Sequence, residues 1–156
     1  MTPRDPSPSL TSSLTPSTAL APDEGVQHSF TPDRATYRRD HAAMAAAAMG
    51  LGMVILWAMG NPHIWTGAVG GLAAVALRGA YIASDELATR WDLTNRRLLG
   101  PGGHAIPLTQ IKAVNTLGSA VQIITHAGDK HLIKYQADNT ATRAQIEQAM
   151  GRGGML

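Results

Sequence analysis

The sequence predicts a membrane α-helical hairpin joined to a small α+β domain. Three observations carry that prediction. Residues 42–60 are nineteen consecutive positions without a charged side chain, and residues 64–77 are fourteen more. Beyond residue 85 the unbroken apolar runs give way to alternation with period two. A stretch with core residues at helical spacing then closes the chain after Asp138.

The totals set bounds. The chain has 156 residues, enough for one modest domain beside a membrane anchor. Its net charge of +2 is too small for the dense basic face that nucleic acid requires. It contains no cysteine, which excludes disulfides, thiolate catalysis and Cys-ligated metal. No apolar signal-like segment precedes the hairpin, so no cleaved leader is expected.

Residues 1–33 hold six of the nine prolines, among Ser7, Ser9, Ser12, Ser13 and Ser17. Such a composition buries too little apolar surface to offset chain entropy, so a disordered tail is expected. Val26 and Phe30, the single phenylalanine, mark where this tail is expected to begin touching either the membrane surface or the soluble domain. Arg34, Arg38 and Arg39 follow, the basic flank expected on the untranslocated side of a first span.

The hairpin, with its flank, occupies residues 34–84. At about 1.5 Å rise per residue each helix is about 27–31 Å long, close to the roughly 30 Å hydrocarbon core of a bilayer. Gly60, Asn61, Pro62 and His63 make the turn, which carries no Lys or Arg, whereas both outer ends are basic. This places both termini in the cytoplasm at a bacterial inner membrane. Trp57 and Trp65 flank the turn, and Tyr81 and Trp91 the other boundary, as interfacial aromatics do. Arg78, about one turn from the inner end, either snorkels to headgroups or meets a buried partner. Ala48 and Gly52 in the first helix, and Gly67 and Gly71 in the second, are small-xxx-small steps, with Gly70 and Ala74 alongside. They serve packing of the two helices on each other or docking against another membrane protein. Ala-rich hairpins also fill the cores of soluble helical proteins; the unbroken spans, aromatic boundaries and charge asymmetry favour the membrane.

In residues 85–156, Trp91 and Leu93 alternate with Arg90, Asp92 and Thr94 as in a strand. Asn95 and Arg96 turn, and Arg97, Leu98 and Leu99 return. Gly100, Pro101, Gly102 and Gly103 form a loop. Ala105 to Leu108 is a short strand made an edge by Pro107, and 111–115 continues as another. Residues 120–125 and 130–135 flank His126, Ala127, Gly128 and Asp129, a hairpin signal. Asp138 or Asn139 caps a helix to about Met150, with Ile146, Ala149 and Met150 at core spacing. The expectation is five or six antiparallel strands covered by one helix.

Residues 91–98 (Trp-Asp-Leu-Thr-Asn-Arg-Arg-Leu) and 106–111 (Ile-Pro-Leu-Thr-Gln-Ile) carry a resemblance to bacterial pleckstrin-homology-like domains. The shared pattern is an aromatic residue, a following Thr, an Arg opening the next strand and an I-P-L-x-x-I stretch. The resemblance implies a PH-like sheet closed by the C-terminal helix, spans about 65 of the 156 residues and implies no catalytic site. The layout of membrane helices followed by such a domain is also similar to photosynthetic complex assembly proteins, an analogy of architecture that does not carry function.

No catalytic constellation stands out. His126 and His131 face each other across the predicted hairpin but have no third ligand at a suitable spacing, so no metal is expected. Asp85 and Glu86 read as a solvated linker, with Arg90 as a partner. The glycine-rich loop lacks the Lys-Ser/Thr of a phosphate loop. No cofactor is expected. Arg78, Arg96, Arg97, Lys112, Lys130 and Lys134 are the candidate contacts to lipid or partner; the plainer reading of the lysines is protection of an exposed strand. The expected function is a non-enzymatic accessory, assembly or scaffold factor of a larger membrane complex. The alternative is a module binding anionic lipid at the membrane surface. Expected partners are lipids, integral membrane proteins or a second copy, and not nucleic acid.

Overall fold

A computed structural model describes residues 14–153. They divide into two units: Arg34–Glu86 is one, and the segments on either side of it together form the other.

The first unit is the hairpin. Helix α1 spans Arg34–Ala58 and α2 spans Trp65–Ala88, each long and apolar enough to cross a membrane. Their apolar side chains point outward: Leu51 is 62% and Leu77 73% exposed. The turn is built by local chemistry. Gly60 adopts φ 69°, a conformation open to glycine. Its N–H donates to Trp57 O, and the Asn61 N–H donates to Leu56 O, closing the last turn of α1 in a Schellman motif. Asn61 Oδ1 then accepts from the His63 N–H at 2.8 Å. Because α2 runs to Ala88, Asp85 and Glu86 lie on its last turns and not in a linker. Arg90 forms an ion pair with Asp92, at 3.2 Å.

The second unit holds seven strands in two antiparallel sheets. The first sheet has the order β1 (Val26–Phe30), β2 (Trp91–Thr94), β3 (Arg97–Leu99), β4 (Ala105–Pro107). The second has the order β5 (Ile111–Leu117), β6 (Ala120–Thr125), β7 (Lys130–Ile133). Helix α3, Asn139–Gly153, follows, with Asp138 Oδ1 accepting from the Ala141 N–H at 2.9 Å as its cap. Pro107 lies in an outer strand, where its missing N–H breaks no ladder.

This corrects the expectation of five or six strands. Six strands do follow the hairpin, but a seventh precedes it. β1 pairs with β2 across the whole hairpin, with Phe30 opposite Trp91 and Ser29 opposite Asp92. The expected disordered tail is therefore corrected for residues 14–33, which belong to the sheet-bearing unit; residues 1–13 lie outside the described residues.

One core unites both sheets and α3. Phe30, Trp91, Leu93, Leu98 and Ile106 come from the first sheet; Val114, Val121, Ile123 and Ile133 from the second; Ile146 and Ala149 from the helix. Burying such side chains is worth about 1.5–3 kcal/mol each, which is what holds two small sheets together. The Trp91 ring lies against Gly100, where no Cβ would fit.

Candidate functional site

Three places in the molecule have the geometry to act: the seam of the hairpin, the basic side chains, and a histidine cleft in the sheet-bearing unit.

At the seam the four small residues meet in pairs. Gly52 stands opposite Gly67, and Ala48 opposite Gly71. A Cβ on Gly67 would stand 2.8 Å from Met53 N and closer still to the Gly52 backbone. The helices are thus in main-chain contact, an approach available only without side chains. Toward the outer ends Tyr37 Oη donates to Gly79 O at 2.7 Å, and the His41 ring stacks on Tyr37 with centroids 4.0 Å apart. Gly79 admits that ring, since a Cβ there would lie 2.8 Å from His41 Cδ2. By contrast, Gly50 and Gly70 have open space where a Cβ would be, and Ala74, one turn beyond Gly70, is exposed.

The six basic residues differ in their surroundings. Arg78 is exposed on α2, in the other unit. Arg97 is committed to Glu24: Nε donates to Oε1 at 3.0 Å and Nη2 to Oε2 at 2.6 Å. Glu24 also accepts from Thr94 Oγ1 at 2.7 Å and from the Ala21 N–H at 3.0 Å. The Arg97 guanidinium is the main cause holding the Glu24 carboxyl down at about 2, and its own pKa is raised by the same bond. Arg96 pairs with Asp23. Both arginines therefore tie residues 19–25 to the β2–β3 turn. Lys112, Lys130 and Lys134 are exposed on or next to the second sheet.

Sequence reasoning missed Glu24 and Thr94. The alternation puts Asp92 and Thr94 on the strand face opposite Trp91 and Leu93, and the structure buries them as well. Ser29 Oγ donates to Asp92 Oδ1 at 2.7 Å, so residues from before the hairpin cover that face with polar partners.

The cleft, about 430 Å³, is lined by His104, Ile106, Gln110, Thr125, Asp129, Lys130 and His131. The His131 ring meets His104, with centroids 5.1 Å apart, and the edge of Trp91 at 6.1 Å. His126, expected opposite His131, is exposed in the β6–β7 turn, and its N–H donates to Gln110 O. Among the described residues no group of three or more His, Asp or Glu is placed to hold a metal. Burial disfavours the charged form of His131 and lowers its pKa; nearby His104 adds to this and Asp129 opposes it. The folded state thus releases the His131 proton more readily than the unfolded chain. Its contribution to stability is complete above the ordinary histidine pKa and is lost as the pH falls through the lowered value. Melts followed at Trp91 should show this loss below about pH 6.5, and His131→Phe should flatten it. An unchanged acid slope in that variant would exclude His131 as its source.

Comparison with family models, with curated proteins and with solved structures returns no match.

Proposed function

We propose that this is a non-enzymatic membrane protein acting as an accessory or assembly factor of a larger membrane complex. The observation that carries the reading is the step Gly70-xxx-Ala74. It faces away from the seam, with open space at Gly70, on a helix apolar enough to cross a membrane. Small side chains on such a face let a second helix approach closely, and in lipid that approach is what drives association.

The pairing of β1 with β2 supports a topology for the hairpin. Arg34 begins α1 four residues after Phe30, and Trp91 begins β2 three residues after Ala88. Both outer ends of the hairpin are therefore joined to neighbouring strands of one sheet, which supports the reading that they share one side of any bilayer it crosses. Arg34, Arg38 and Arg39 with Arg90, Arg96 and Arg97 lie toward that side, and the turn has no Lys or Arg, so the side is cytoplasmic. The PH-like reading of the sheet-bearing unit rests on the residues that carry the resemblance. An interaction module fits an assembly role better than a catalytic one.

Purification from native membranes in a mild detergent tests the reading. The expected result is co-isolation of at least one integral membrane protein, abolished by Gly70→Leu with Ala74→Leu while the hairpin stays folded. A lone monomer at natural abundance, or co-isolation indifferent to both substitutions, would overturn it.

A further inference from the structure

The second sheet has one face in the core and one that is exposed or half-exposed among the described residues. Val114, Val121, Ile123 and Ile133 point inward. The alternate positions point outward, and there the register gathers basic and apolar side chains. Ile124 pairs with Ala113 on one side and Lys130 on the other. The register shift between Ile111 and Ala113 leaves Lys112 as the extra residue beside Ala113. Lys112, Ile124 and Lys130 thus form one row. Leu132, 39% exposed, and Leu117, 57% exposed, lie in the rows beyond, with Lys134 just past the end of β7. No residue of this outward face carries a carboxylate; Asp129 lies outside it, in the β6–β7 turn.

We propose that this face rests on an anionic lipid surface, with Lys112 and Lys130 at the contact. The proposal rests on the reading that the hairpin crosses a membrane. Two observations select lipid as the occupant. The first is charge: lysines alone, set among partly exposed Ile and Leu, match negative headgroups over an acyl boundary, and long lysine stems reach upward while their apolar neighbours press in. The second is tethering. The unit is joined to the hairpin by the chain at two places, Asp33–Arg34 and Glu86–Leu87. A surface tethered twice to a membrane-crossing hairpin meets the bilayer at high effective concentration, so weak single contacts suffice.

The full chain tests this directly, because it has no cysteine to interfere with labelling. Gln122→Cys, between Asn115 and Leu132 on the outward face, takes a polarity-sensitive dye; Gln148→Cys on the exposed side of α3 is the control. The labelled chains are placed in nanodiscs of phosphatidylcholine alone or mixed with phosphatidylglycerol. The expected result is a blue shift at position 122 with the anionic lipid only, reversed by high salt, and none at 148. Lys112→Gln and Lys130→Gln, both at exposed sites, should each weaken docking about fivefold. Equal spectra in the two lipids, or no loss in the double variant, would overturn the proposal. So would a shift confined to native membranes, which would assign the face to a protein. A chain that fails to enter the discs would overturn the spanning reading and this proposal with it. Failure of co-isolation by the Gly70 and Ala74 test would leave the docking result standing, so the two readings fail separately.

Discussion

Gly67→Ala should force the two hairpin helices apart and cost about 2 kcal/mol of their packing, whereas Gly70→Ala, one turn of chain away, should cost nothing. In an isolated helix both changes are favourable by about 1 kcal/mol, because alanine is the better helix former. The surroundings decide the sign. At Gly67 the new methyl would meet the backbone of Gly52 and the Met53 nitrogen at 2.8 Å. Main-chain atoms cannot swing aside as a side chain would, so the whole α1–α2 spacing must open. That opening also loosens the neighbouring contact of Ala48 with Gly71, which accounts for an overpacking cost in the usual range of about 1–3 kcal/mol. At Gly70 the methyl meets nothing within 4 Å. Spin labels at Arg38→Cys and Tyr81→Cys, near the open end of the hairpin, should report a longer distance for Gly67→Ala and the original distance for Gly70→Ala. Identical distances and identical thermal stability in the two variants would refute the close seam.

The second large effect is expected at Glu24. Its carboxylate is buried, and it holds Arg97 through two hydrogen bonds while accepting two more, from Thr94 and Ala21. Glu24→Ala leaves the half-buried Arg97 and the buried Thr94 hydroxyl without this partner, and breaking a buried pair in this way costs about 3–5 kcal/mol. The pH dependence should show the same contribution. A carboxyl that titrates at about 2 when folded and near 4.5 when unfolded stabilises the fold by roughly 3 kcal/mol at neutral pH. The folded state holds the proton more weakly, so this contribution is present above pH 4.5 and is lost as the pH falls toward 2. Denaturation of the full chain in detergent, with Trp57→Phe and Trp65→Phe so that Trp91 alone reports, measures both quantities. Glu24→Gln should be less stable than the parent at pH 7, and the two should converge as the pH falls from 4.5 to 2. A difference that persists unchanged at low pH would show that the carboxylate charge is not what matters. Because residue 24 precedes the hairpin and residue 97 follows it, either substitution should also leave residues 14–30 more open to protease.

Which parts were legible follows from the range of the interactions involved. Gly60, Asn61 and His63 act on neighbours a few residues away, and the turn they predict is the turn observed. The six strands after the hairpin sit close to their expected places because Leu93, Ile123 and Ile133 alternate with their neighbours, and Ile146 and Ala149 keep helical spacing in α3. The basic residues were harder to read. Arg96 and Arg97 look like binding residues in a list of charges, but Asp23 and Glu24 occupy them, and nothing within a few positions of Arg97 announces a partner 73 residues earlier. Hairpin geometry, being local, matches His131 with His126; its ring neighbour, His104, comes from the loop before β4.

The seam divides in the same way. The spacing of Gly67 and Gly71 marks a face that can be approached closely, and only the opposing helix shows that Gly52 and Ala48 take that place while Gly70 stays open.

By itself, then, the sequence determined two long apolar helices about a tight turn, the period-two strands that follow and the closing helix, because each arises from hydrogen bonding and side-chain periodicity within one stretch of chain. Only the tertiary structure decided that Val26–Phe30 is the first strand of the sheet. Four of its five side chains are exposed, so burial left no alternating pattern to read. What makes it a strand is hydrogen bonding to β2 on the far side of the hairpin, together with the Glu24–Arg97 pair, and such energies appear only when distant residues are brought side by side.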